Sequence, residues 1–208
     1  MKKIDKKYLD TALSYADYRR MSRSELGEAH QRELNYPEEL RAYVEMNERR
    51  MDRWDRKLPE LLGKNADISG IGGDYAMLVL TEAWCGDAAH VVPVAEYLSK
   101  LAGIKTGYLF RDQNLELMDA FLTNGGRSIP KLILINKDTL DVLGSWGPRP
   151  DELQDWYWKQ KEEGKLSKDE VLAQIQLWYN RDKARSTGAE LVDWILSTSL
   201  KSQPGHAI

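Results

Sequence analysis

The chain of 208 residues contains one cysteine, Cys85, with three histidines and two phenylalanines. A single thiol excludes an internal disulfide framework. One cysteine and the scattered His30, His90 and His206 do not form a ligand set of zinc spacing, so neither a metal site nor another cofactor is expected. No apolar run approaches the roughly 18–20 residues of a membrane-spanning helix, and no membrane partner is expected. No excess of basic residues exists either: 30 Lys and Arg stand against 33 Asp and Glu, for a net charge of −3. That balance leaves no electrostatic footprint for nucleic acid. Met1-Lys2-Lys3-Ile4-Asp5-Lys6-Lys7 has the charge that opens a signal peptide, but Asp10, Asp17, Arg19 and Arg20 interrupt any apolar stretch behind it. A cytoplasmic location is the expectation. The sequence has no internal repeat and no low-complexity segment.

What is present suits a folded globular chain: 42% hydrophobic residues, with seven Trp and ten Tyr. From Lys6 to about Leu62 the sequence is nearly free of Gly and Pro. Tyr8, Leu9, Ala12, Leu13, Ala16 and Tyr18 have the spacing of one helix. After the Asn35-Tyr36-Pro37 break, Leu40, Tyr43, Val44, Met46, Met51, Trp54, Leu58 and Leu61 suggest another, in one or two pieces. Arg49, Arg50 and Arg53 alternate with Glu45, Glu48, Asp52 and Asp55, as on a solvated helix face rather than a nucleic-acid surface. Gly63 to Gly73 reads as a turn-rich linker.

The central stretch begins with the apolar run Tyr75–Leu80, which reads as a buried strand. Thr81-Glu82-Ala83-Trp84-Cys85-Gly86-Asp87-Ala88-Ala89-His90 follows and leads into a helix to about Leu101. A cysteine in a turn before a helix sits where unpaired N–H groups and the dipole favour a thiolate, and where exposure is expected. Asp87 opposes this, because a like charge at ~5 Å costs on the order of a kcal/mol in a partly solvated site. The sign of the sum is open, and helix capping is the plainer role for Asp87. His90, five residues past the cysteine, is expected to be a surface or packing residue. Thr106–Phe110 reads as a second strand, Leu115–Leu122 as a short helix, Lys131–Ile135 as a strand entered through Ile129-Pro130, and Leu140–Leu143 as its partner. Beyond Pro148-Arg149-Pro150, Asp151 is a plausible helix N-cap, and Ser167-Lys168-Asp169-Glu170 has the form of a capping box. Leu191–Leu196 is a last apolar segment before a polar tail. The Trp- and Tyr-rich stretch from Trp146 to Trp158 reads as core packing, or else as the wall of a groove beside the cysteine.

The order strand, Cys turn, helix, strand, helix, Ile-Pro-strand, strand resembles the thioredoxin fold. Trp84-Cys85-Gly86 is similar to the start of the thioredoxin Trp-Cys-Gly-Pro-Cys motif. Pro93 falls where thioredoxins kink the active-site helix, and Asp112-Gln113-Asn114 is similar to their Asp-Gln-Asn segment. Ile129-Pro130 looks like the cis-proline loop, and Gly147 like the glycine flanking it. The form Trp-Cys-Gly-Asp-Ala, with Gly-Pro-Arg-Pro and a helical N-terminus, resembles a bacterial single-cysteine branch of thioredoxin-like proteins. The resemblance covers roughly 67–147. It implies an α/β thioredoxin-like fold with a central mixed sheet: a helical N-terminal extension (1–65), a thioredoxin-like core (66–147) and a helical C-terminal segment packing on it (148–208).

Two departures matter. Ala88 stands where the resolving cysteine belongs, so the dithiol cycle, in which a second thiolate releases the trapped substrate, is closed to this chain. Val79 stands where thioredoxins keep a buried acid. Single-cysteine glutaredoxins bind a bridged iron–sulfur cluster, but their Cys-Gly-Phe-Ser motif differs from this one. The reading is a monothiol thiol-disulfide oxidoreductase, with Cys85 as nucleophile and the N–H groups of Gly86 and Ala88 as its stabilisers. Trp84 is platform and site wall, and Ile129 and Pro130 form the substrate-docking edge. Its partner would be a thiol- or disulfide-containing protein or a low-molecular-weight thiol; the oligomeric state is not legible. The competing class is a redox-inactive binding module on the same scaffold.

Overall fold

The computed structural model describes residues 2–28, 31–63 and 68–201. Asn65 of the linker, His30 and His206, and the polar tail beyond Lys201 lie outside the described residues. The element order is α1 (Lys7–Thr11), α2 (Tyr15–Ser24), α3 (Glu38–Leu61), β1 (Tyr75–Thr81), α4 (Ala88–Ala102), β2 (Lys105–Phe110), α5 (Leu115–Asp119), β3 (Lys131–Asn136), β4 (Val142–Trp146), α6 (Asp151–Glu163), α7 (Lys168–Asp182) and α8 (Arg185–Lys201). The described strands form one mixed sheet in the order β2-β1-β3-β4. β1 runs parallel to β2, reached through the α4 crossover, and antiparallel to β3, which forms an antiparallel hairpin with β4.

Position in the sheet accounts for composition. β1 has neighbours on both sides, and all seven of its residues, Tyr75 to Thr81, are buried. An unbroken apolar run is what a strand covered on both faces requires. α4 is apolar nearly all round and buries eleven of its residues, because β1 and β2 cover one side and α3 and α8 pack against it elsewhere. One apolar cluster runs from Ile4 through Trp54, Val79, Val91 and Ile133 to Ile195. The helical flanks therefore share a core with the sheet.

The N-terminal pattern does not make one helix. α1 ends at Thr11, and Leu13 pairs with Tyr108 on the free edge of β2, each N–H donating to the other's carbonyl at 2.9 Å. Ser14 then starts α2 as an N-cap, accepting from the Asp17 N–H at 3.1 Å. The open sheet edge competes for the backbone of Leu13 and wins, since an unpaired edge leaves polar groups unsatisfied. α3, by contrast, is a single helix of 24 residues with Pro59 in its last turn. β4 begins at Val142 and continues to Trp146, later than the apolar pattern suggests. Asp151 is the first helical residue of α6, and Pro150 occupies the cap position. The Ser167–Glu170 capping box forms in both directions. No helix among the described residues is long and apolar enough to cross a membrane.

Candidate functional site

β1 delivers the chain to a turn in which the Cys85 N–H donates to Glu82 O at 3.1 Å and Cys85 O accepts from the Ala89 N–H at 3.2 Å. α4 starts at Ala88, so the sulfur lies just before the first helical turn. The thiol donates to Ile129 O at 3.4 Å, in the loop whose Ile129–Pro130 peptide is cis. Gly147 closes this loop: its φ is +110°, and a Cβ there would lie 2.3 Å from Pro130 O. Only glycine permits that approach.

Cys85 is not exposed, as its turn position suggests, but only 7% accessible. Burial first, and then the Asp87 carboxylate, push the thiol up to about 12; the N–H groups of Ala88 and Asp87 and the charge of Arg149 pull against them. The sign left open by the sequence is therefore upward, because desolvation outweighs the helix terminus. Ala88, expected as a stabiliser of the sulfur, contributes one of the N–H groups that pull the thiol down, and Asp87 contributes another.

Asp87 occupies the N-cap position of α4 but makes no capping hydrogen bond. Its carboxylate is claimed by Arg149, whose Nε donates to Oδ1 at 3.0 Å and whose Nη2 lies 2.7 Å from Oδ2. The Tyr179 hydroxyl donates to Oδ1 at 3.1 Å. A buried guanidinium offering a two-pronged contact outcompetes a single backbone N–H. Burial pushes the Asp87 carboxyl up, and Arg149 and Tyr179 pull it back.

His90 is a packing residue: its ring stacks on Tyr179 with centroids 4.3 Å apart, and burial lowers it to about 3. Trp54 Nε1 donates to its Nδ1 at 3.0 Å, and its Nε2 lies 2.8 Å from Gln176 Oε1. Ala88 and Val79 are buried apolar side chains at the positions of the missing thiol and acid. A buried acid does exist nearby: Glu82, 1% accessible, accepts from the Tyr36 hydroxyl and from the Asp112 N–H, which ties the Asp112-Gln113-Asn114 segment to the cysteine turn.

A groove of about 630 Å³ opens over Cys85. Leu40, Tyr43, Met46 and Arg50 of α3 line it, as do Trp84, Gly86 and Asp87 of the turn and Ile129 of the cis-proline loop. Tyr157 and Trp158 of α6 and Gln176 of α7 line it as well, so the aromatic stretch contributes a groove wall. Trp84 carries the Arg111 guanidinium 5.1 Å from its ring centroid. Pro130 itself is buried and does not line the groove. Sequence reasoning missed Arg149, Tyr179, Gln176 and Arg50 as site residues. Only Arg149 carried a signal: prolines on both sides restrict its backbone, so its side chain leaves the chain from a fixed direction. No group of His, Cys, Asp and Glu among the described residues is arranged to hold a metal ion.

A crystal structure titled as an HIV epitope-scaffold is 14% identical, covers 95% of this chain and 98% of its own, and has a TM-score of 0.60. A crystal structure of a protein of unknown function from Pseudomonas aeruginosa is 16% identical, with 96% of each chain covered and a TM-score of 0.57. At such identities the likeness concerns the fold alone. No curated protein matches the chain. A family model described as Thioredoxin matches residues 33–166, which take in α3, the whole sheet, the cysteine turn and α6. With more than half of its length matched, this chain belongs to the thioredoxin family.

Proposed function

We propose that this protein is a thioredoxin-fold binding module whose ligand groove is built over a shielded cysteine. The observation that carries the reading is the placement of Cys85 beneath a groove walled by α3 on one side and by α6 and α7 on another, with its thiol already engaged by Ile129 O. The electrostatics point the same way. Burial holds the thiol well above its ordinary value, so little thiolate is available near neutral pH and attack on a disulfide is slower than by an exposed thiol.

The second reading is the monothiol oxidoreductase. It is favoured by the N–H groups of Ala88 and Asp87 that pull the thiol down and by the contribution of Cys85 itself to the groove lining. The Cys85 thiolate would attack a ligand disulfide and expel one thiolate. An external thiol would then attack the mixed disulfide, restoring Cys85 and leaving the small disulfide as product. Alkylation rates measured against pH, with Cys85→Ser as the blank, separate the two. The binding reading expects slow reaction at neutral pH and a ligand affinity that survives Cys85→Ser. Rapid alkylation with an apparent pKa below ~8.5 would overturn it in favour of the oxidoreductase.

A further inference from the structure

The groove has a polar feature that neither reading uses. Trp54 Nε1 is a donor only, and it donates to His90 Nδ1 at 3.0 Å. His90, lowered to about 3, is neutral, so its single proton must sit on Nε2. Nε2–H therefore donates to Gln176 Oε1 at 2.8 Å, which fixes the amide orientation and leaves its NH₂ facing away. That NH₂ faces Gly86. An atom placed where a Gly86 Cβ would be lies 3.1 Å from Gln176 Nε2 and 3.9 Å from Arg50 Nη1.

Arg50 is half-buried and makes no ion pair among the described residues; its Nη1 donates to Asn47 Oδ1 at 2.8 Å, and its other contact is the Met46 sulfur. Arg53, beside it, also has a neutral partner, Asn180 Oδ1 at 2.8 Å. A guanidinium without a carboxylate, an amide NH₂ held outward and a missing side chain meet over the residue after Cys85. The Asp87 carboxylate nearby is already taken by Arg149.

We propose that this convergence is an anion seat, and that the groove takes a small organic anion whose carboxylate or phosphate rests over Gly86 between Arg50 and Gln176. Its apolar body would lie along Trp84 and Tyr157, which line the same groove. A compact molecule is favoured over a through-running peptide because α3 and α7 converge over Gly86 and are tied together by Arg53 and Asn180. The volume, about 630 Å³, is that of a small-molecule site. The inference rests on the groove being a ligand site and is indifferent to whether Cys85 turns over.

The test is a titration of ¹⁵N-labelled full chain with phenylacetate, phenyl phosphate and neutral phenylacetamide, following the Gly86 backbone and Gln176 side-chain amides. One or both anions should produce saturable shifts, and their relative affinity tells carboxylate from phosphate. Phenylacetamide should bind at least tenfold more weakly. Arg50→Ala should weaken the anions about tenfold or more, the worth of a charge-assisted hydrogen bond, and Gly86→Ala, which fills the seat, should do the same. His90 should report a proton on Nε2. Equal binding of the amide, anion affinity retained in both variants, a proton on Nδ1, or no saturable shift overturns the seat. Fast Cys85 alkylation in the same samples would instead overturn the binding-module reading and leave the seat standing.

Discussion

Replacing Arg149 by methionine strands the Asp87 carboxylate. The two side chains are 12% and 10% accessible, and the contact is two-pronged at 2.7 and 3.0 Å. Methionine fills much of the guanidinium's volume, so the loss is mainly electrostatic. Breaking one partner out of a buried pair costs about 3–5 kcal/mol, because the remaining charge is left without compensation. The sign with pH follows. Burial already pushes Asp87 up, and Arg149 supplies the largest opposing pull, so its removal raises the carboxyl further above the unfolded value. A group whose folded pKa is raised binds more protons in the folded state, so stability increases as pH falls through that folded pKa. Urea unfolding of wild type and Arg149→Met at pH 7 and again near pH 4.5 reads both effects. The variant should lose several kcal/mol at pH 7 and recover part of the difference on acidification. A second variant, Asp87→Leu with Arg149→Met, should recover much of the loss at pH 7. A loss below about 1 kcal/mol, the worth of an exposed pair, or a difference independent of pH would refute the claim that this pair is desolvated.

Gly147→Ala should lower stability by at least about 2 kcal/mol by chemical denaturation, since its Cβ would meet Pro130 O at 2.3 Å with φ at +110°. Gly73→Ala, with open space and no positive φ, should stay within about 0.5 kcal/mol and serves as the control. Lys131 is buried against the neutral partners Thr123 Oγ1 and Gly147 O, and burial lowers its ammonium to about 8. Between that value and the unfolded one near 10.4, the unfolded chain binds the extra proton. Wild type should therefore gain up to about 3 kcal/mol relative to Lys131→Met as pH rises through this window; a flat difference across pH 7.5–10.5 would show the amine to be solvated. Ser167→Ala removes one half of the capping box, and a loss of about 0.5–2 kcal/mol is expected in thermal melts; no change would mean that the start of α7 is held by its packing alone.

Much of this molecule is local chemistry and is therefore legible in one dimension. The unbroken apolar run of β1, the Ile129-Pro130 entry to β3 and the Ser167–Glu170 box each depend on residues within a few positions of one another. The cysteine turn and the thioredoxin resemblance are of the same kind. The break between α1 and α2 is not, because the periodicity of Tyr8 to Tyr18 suits a helix and only the free edge of β2, about a hundred residues away, diverts Leu13.

The site divides along the same line. Sequence alone determined that Cys85 has no partner thiol within the chain, and its resemblance to thioredoxins pointed to Ala88 and Val79 as standing where those proteins keep a resolving cysteine and a buried acid. It did not determine how that cysteine titrates. The answer depends on the burial of the turn, with the thiol set against Ile129 O, and on Arg149 and Tyr179 meeting Asp87 across 62 and 92 positions of chain. Burial and pairing over such separations are products of packing, and they turned a residue placed to cap a helix into one half of a buried ion pair beside a protonated thiol.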